Sequence, residues 1–294
     1  MKTSSFLSPL AALVAVTAFA AAASAEFTAP RVSPNATVSQ TIGMTTLTVT
    51  YCRPAVRGRR IWGELVPWGK PWRSGANEAT TFTCSTEIQV NGQKLPAGTY
   101  SFFTIPRADE WTVVFSNQKD LWGAFDYDST KDHLRVTAKP QASEFHEWME
   151  YAFEDLAPAA LPLSPATGKL VLRWEKLAVP ISIETDMNGL TLTAAHDEMA
   201  KLKADDWRTP YRAASFCFDN GVNLDEAWVW AQKSTSIQEN YQNVSLVARM
   251  HAKAGRNKEA IAAGKKAVAL GKASKDKVDT SGTEKLVAEW TSKK

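Results

Sequence analysis

TTFTCSTEIQVNGQKLPAGTYSFFTIPRADEWTVVFS, residues 80–116, decides the fold class. Phe82, Cys84, Thr86, Ile88 and Val90 fall on every second position, the repeat of a strand with one buried face. Asn91-Gly92 follows at once, and this dipeptide accepts the left-handed backbone of a two-residue hairpin. Pro96-Ala97-Gly98 opens another strand over Thr99 to Ile105. Pro106 to Asp109 makes a turn, and Trp111 to Phe115 returns. Short strands with Gly/Pro turns and no intervening helix predict an antiparallel β-sandwich or jelly roll.

The same reading extends both ways, over residues 36–183. Upstream, Leu47, Val49 and Tyr51 alternate with Thr48, Thr50 and Cys52. Downstream, strands are expected around Trp122 to Tyr127, Leu134 to Ala138 and Trp148 to Phe153. Lys169 to Glu175 and Ala178 to Glu184 read as a closing hairpin, with Pro158, Pro162 and Pro165 in a loop before it.

After Asp186-Met187-Asn188-Gly189 the β-branched residues thin out and alanine becomes common. Val244, Val247, Ala248 and His251 recur at three-to-four spacing, as do Ala260, Ile261, Gly264, Ala267 and Val268. The segments around Gly221 and Gly255 align at an offset of 34 residues. That helix–turn–helix period resembles a tetratricopeptide repeat. Asn223 and Asn257 are expected to cap the second helix of each copy. Residues from about 277 onward are polar and are expected to fray. The chain thus divides into a β-sandwich over 27–186 and a small helical segment over 190–294.

The first 25 residues read as an export signal. Lys2 supplies the charge, Leu10 to Ala23 the apolar run, and Ala23-Ser24-Ala25 the cleavage site. A periplasmic or secreted chain starting at Glu26 is expected, with no membrane span in the mature part. The formal net charge of the full chain is only +3, which argues against a nucleic-acid partner. Three cysteines occur, Cys52, Cys84 and Cys217. Cys52 and Cys84 are the couple that could bridge in an oxidising compartment; the alternative is two buried free thiols.

The chemistry concentrates in YCRPAVRGRRIWGELVPWGKPWRSGANEAT, residues 51–80. It holds Arg53, Arg57, Arg59, Arg60 and Arg73 with Trp62, Trp68 and Trp72, and closes on Asn77 and Glu78. Guanidinium forks take carboxylate, sulfate or phosphate in paired hydrogen bonds. Indole faces stack on sugars or apolar side chains. Arg53, Arg60, Trp62, Trp72, Arg73, Asn77 and Glu78 are therefore the candidate ligand-binding residues. The plainer reading has the arginines tied to Glu64, Glu78 or backbone carbonyls, bracing a long loop that cannot hydrogen-bond as a sheet. Glu78 is the one candidate acid–base group, and on composition it suits an arginine counter-ion better.

Several stretches together resemble a bacterial exported family known as domain of unknown function 2911. They are SPNATVSQTIG (Ser33 to Gly43), the loop from Tyr51 to Thr80, VNGQKLPAGTYSFFTIP (Val90 to Pro106), DEWTVVFS (Asp109 to Ser116) and LWGAFDYDSTKDHLRV (Leu121 to Val136). The resemblance implies an exported β-rich domain, often followed by repeat-like helices, and brings no catalytic residues. Where the family usually has Ser or an apolar residue this chain has Cys52 and Cys84, a double departure that favours their pairing.

Other motifs are weak. Asp126 to Asp132 places oxygens as a calcium loop begins, but Lys131 and Thr137 stand where that loop needs Gly and Glu. A solvated turn is expected there. His133, His146, His196 and His251 lack metal spacing, and no nucleophile elbow, P-loop or dinucleotide fingerprint occurs, so no cofactor is expected. Trp207, Tyr211, Trp228 and Trp230 are read as inter-helix core, with a peptide groove as the functional alternative. The sequence thus leads to a non-catalytic binding module for an anionic or carbohydrate-like ligand or an envelope protein. An envelope hydrolase or lyase using Glu78, and an assembly protein docking through its helices, are the alternatives.

Overall fold

The structure, a computed structural model, describes residues 29–157 and 165–292. The expected export signal, with its cleavage after Ala25, lies outside the described residues, as do Pro158 and Pro162 of the proline loop. Ten strands follow: β1 (Asn35–Ile42), β2 (Thr45–Cys52), β3 (Thr80–Cys84), β4 (Ile88–Val90), β5 (Gln93–Leu95), β6 (Gly98–Ile105), β7 (Trp111–Ser116), β8 (Asp132–Ala138), β9 (Gln141–Glu154) and β10 (Ala166–Thr185). They build two antiparallel sheets, ordered β1-β2-β3-β6-β7-β8 and β5-β4-β10-β9.

The alternation read in the sequence is what joins the sheets. Leu47 and Val49 of β2, Phe82 of β3 and Phe115 of β7 bury their side chains in one core. Met149 and Tyr151 of β9 and Leu170, Leu172 and Trp174 of β10 belong to the same core. Each fully buried side chain of this kind contributes roughly 1.5–3 kcal/mol of transfer free energy. Asn91 and Gly92 form the expected turn, with φ of 46° and 80°, between the paired Val90 and Gln93. The period-two run from Phe82 to Val90 is two strands: β3 pairs in the larger sheet, and after Ser85–Glu87 the chain enters the smaller one as β4.

Two strand expectations need correction. Lys169 to Glu184 is not a hairpin but part of one continuous strand, β10. Glu175 takes φ 57° and shifts the register against β9, so the apparent turn is a bulge inside the strand. Trp122 to Tyr127 is not a strand but a run of turns. Ala124 and Tyr127 of that run, with Leu121 just before it, lie over Phe103, Ile105 and Val114, covering the second face of the larger sheet. This covering explains why the adjacent Phe102 and Phe103 are both fully buried.

Cys52 and Cys84 are buried and form no disulfide. Cys84 pairs with Leu47 across the β2–β3 ladder, and Cys52 lies five residues further along β2. At about 3.4 Å per residue the two are about 17 Å apart, beyond disulfide reach. Burial pushes the Cys84 thiol up, and its Sγ donates to the Pro96 carbonyl at 3.2 Å.

Helices begin directly after β10: α1 (Met187–Ala200), α2 (Arg208–Asn220), α3 (Leu224–Ile237), α4 (Tyr241–Lys253), α5 (Asn257–Ala273) and α6 (Ser281–Ser292). Asp186 caps α1 by accepting from the Gly189 amide at 2.9 Å. α2 with α3, and α4 with α5, form two hairpins, and Gly221 and Gly255 hold left-handed φ of 69° and 74° at matching places. Of the two expected asparagine caps, Asn223 does stand at the N-cap of α3, but without the capping bond. It has φ 49°, its amide donating instead to Glu226; Asn257 is already the first residue of α5. The end does not fray at 277 either. α6 docks Trp290 against Ala260 and Ile261 of α5 and Ala248 of α4, beside a glycine, Gly264, whose missing side chain makes room for Val287.

Candidate functional site

The connection from β2 to β3, residues 53–79, carries the arginines and tryptophans. It is too long to be an idle loop and contains no helix or strand of its own, so its backbone must find partners elsewhere. Ala55 bridges Trp148 on β9, and Trp72 bridges Thr104 on β6 through paired bonds of 2.8 and 2.9 Å. The Ser74 carbonyl accepts from Tyr151 Oη at 2.9 Å and from Thr80 Oγ1 at 2.9 Å. The loop is thereby laid across the mouth between the two sheets.

Beneath it four indoles pack together. Trp62 meets Trp111 at a centroid distance of 5.0 Å and Trp72 and Trp174 at 5.9 Å each, edge to face. Trp72 and Trp174 stack at 5.8 Å. Only Trp72 finds an acceptor, its Nε1 donating to the Gly75 carbonyl at 3.1 Å. The Nε1 donors of Trp62, Trp111 and Trp174 are buried without one, and so is Arg73 Nε. Each buried unmet donor costs about 1–3 kcal/mol.

A cleft of about 230 Å³ opens over this cluster. Arg57, Arg59 and Arg73 line it, with Trp72 and Trp174 as part of its wall and Gly75 and Ala76 at its edge. No Asp, Glu or His lines it. Arg59 is aimed by two carbonyls, its Nε donating to Val56 at 3.0 Å and its Nη2 to Ala55 at 2.6 Å. Arg57 reaches the Val32 carbonyl at 3.4 Å. Among the described residues none of the three pairs with a carboxylate through its side chain. Burial lowers the pKa of Arg73, opposed by the nearby Cys52, yet a guanidinium stays cationic at any physiological pH.

The residues singled out by sequence do not converge on one place. Trp72 and Arg73 line the cleft, and Trp62 lies below it in the indole cluster. Arg53 is turned to β9, donating to the Met149 carbonyl at 2.7 Å and to Glu150 at 3.0 Å, and Arg60 makes an exposed pair with Glu64 at 3.2 Å. Asn77, left-handed at φ 56°, donates to the Ser33 carbonyl at 3.3 Å. Glu78 faces Cys52, whose Sγ lies 3.2 Å from Glu78 Oε2 and 2.9 Å from Asn35 Oδ1. Arg57 and Arg59 reach the cleft without having been singled out. The available signal was the glycine between them: Arg57 and Gly58 both adopt positive φ, a tight turn that brings both arginines to one rim.

The remaining candidates have structural partners. Asp128 caps the single 3₁₀ turn Ser129–Lys131, and Asp132 pairs with Arg135 at 2.7 Å. Tyr127 Oη also bonds Asp132, and burial with that bond pushes its pKa up to about 12. Among the described residues no three His, Cys, Asp or Glu side chains gather as metal ligands, and no helix is long and apolar enough to cross a membrane.

A family model described as protein of unknown function (DUF2911) matches residues 33–183, just over half of the chain. No curated protein and no solved structure matches. The match spans both sheets and the whole arginine–tryptophan loop, and by it the chain belongs to the DUF2911 family.

Proposed function

We propose that the protein is a binding module for a small anion-bearing ligand, held in the cleft of Arg57, Arg59 and Arg73. One observation carries this reading: donors gather there without acceptors. Among the described residues, four of the six buried side-chain polar atoms left unpartnered are N–H donors of Arg73, Trp62, Trp111 and Trp174, at or directly beneath the cleft. Three cations and no acid on its lining favour an anion further. At about 230 Å³ the cleft is smaller than the ~300–1,000 Å³ of drug-sized sites. It suits one carboxylate, sulfate or sugar-acid unit, with the buried Trp72 and Trp174 closing its floor.

The test is calorimetric titration of glucuronate, glucose and sulfate into the parent and into Arg73→Met. Glucuronate is expected to bind at least tenfold tighter than glucose, and Arg73→Met to lose at least tenfold for both anions. If Arg73→Met stays folded and binds glucuronate as the parent does, the reading is wrong. We further propose export, on the charged start, apolar run and Ala23-Ser24-Ala25 site of the first 25 residues. N-terminal sequencing of the protein recovered outside the cytoplasm is expected to start at Glu26; a chain retained inside with Met1 intact would contradict it.

A further inference from the structure

The helical hairpins border a second cavity, open to solvent and of about 460 Å³, which shares no residue with the arginine cleft. Its walls come from the end of α2 (Phe218), the start of α3 (Leu224, Trp228) and the end of α4 (Met250). That volume falls within the ~300–1,000 Å³ typical of small-molecule sites. The rim is cationic. Lys253 Nζ sits 5.1 Å from the Phe218 ring centroid, and the Arg256 guanidinium lies 4.7 Å over the Trp228 ring. Arg256 Nε is fixed by donation to His251 Nδ1 at 2.9 Å. Neither cation pairs with a carboxylate among the described residues. Asp225, the one acid on the lining, stands in the first turn of α3, where it complements the helix's own N-terminal charge.

We infer that this cavity binds a small carboxylic acid with an apolar body. The body replaces water against Phe218, Leu224, Trp228 and Met250, and the carboxylate meets Lys253 and Arg256 at the rim. The two cations are held over aromatic faces, so their outward N–H groups remain for a ligand. A neutral ligand of the same shape gains only the first contribution, and a cationic one is repelled.

Calorimetry on the whole folded chain tests this with decanoate and indole-3-acetate against decanol and decyltrimethylammonium. At least one acid is expected to bind below 1 mM, about tenfold tighter than decanol, with no binding of the cation; the tighter acid tells whether the body is aliphatic or aromatic. Lys253→Gln and Arg256→Gln are each expected to weaken the acid about fivefold and leave decanol unchanged. Leu224→Gln, at a position that is 38% exposed, is expected to weaken all apolar ligands. Arg73→Met is expected to change none of them. Binding of neither acid would overturn the inference, as would decanol binding equal to decanoate with both charge variants inert.

Discussion

Arg73 shows how one side chain gathers its meaning from its surroundings. Its Nε is buried without an acceptor, while Arg53 and Arg60 in the same loop are bonded to Glu150 and Glu64. Removing Arg60's exposed pair should therefore cost at most about 1 kcal/mol, the scale of surface ion pairs. Arg60→Met is expected to leave both the urea midpoint and anion binding unchanged, whereas Arg73→Met is expected to weaken anion binding at least tenfold without lowering the midpoint. A second residue-scale prediction concerns His251. Its Nδ1 accepts from Arg256, and burial, then the Arg256 charge, lower its pKa against a raising influence from Glu259. The unfolded chain, with an ordinary value of about 6.5, then binds a proton before the folded one does. Stability from neutral His251 is thus full above about pH 6.5 and is lost as pH falls through the folded value. Urea midpoints at pH 7.5 and 5.5 should differ more for the parent than for His251→Gln; equal differences would contradict this.

At the scale of elements, α6 tests whether close packing or local polarity decides order. A Cβ at Gly264 would sit 2.4 Å from Val287 Cγ2, so α5 and α6 approach at a place only glycine allows. Gly264→Val is expected to cost about 1–3 kcal/mol by overpacking and to release α6, read as faster amide exchange over Ser281–Ser292. Unchanged exchange there would mean α6 is held by something else. The docking of this element was hidden in the sequence because α6 is mostly polar and its few large apolar side chains, Leu286, Val287 and Trp290, are held by tertiary contacts with α4 and α5. β2 and the β4–β5 hairpin were legible for the opposite reason: alternation of Leu47, Val49 and Tyr51, and the Asn91-Gly92 turn, are local causes. β10 was misread because its bulge at Glu175 follows from register against β9, which is a tertiary effect. The run from Trp122 to Tyr127 misled by its aromatics, which suit strands but here cap a sheet face or, as Phe125 does at 85% exposure, face solvent.

Taken whole, the protein keeps its two candidate sites on separate parts of one architecture. The arginine cleft is made by a loop between sheets, and the second cavity by the ends of helical hairpins. Because they share no residue, substitutions at Arg73 and Arg256 should add, within about 0.5 kcal/mol, in any stability or binding measurement. Coupling larger than that would mean the helices and sheets move as one device. The location of the cleft was only half legible: the loop's composition pointed to it, but which arginines converge depended on Ala55 pairing with Trp148 far along the chain. On the proposed function, unpartnered donors beneath that loop await an anion. A crystal soaked in selenate tests it most directly, since the anomalous signal locates the ion without assumption. A peak is expected within hydrogen-bonding distance of Arg73, flanked by Arg57 and Arg59; selenate bound elsewhere on the surface, with this cleft unoccupied, would contradict it.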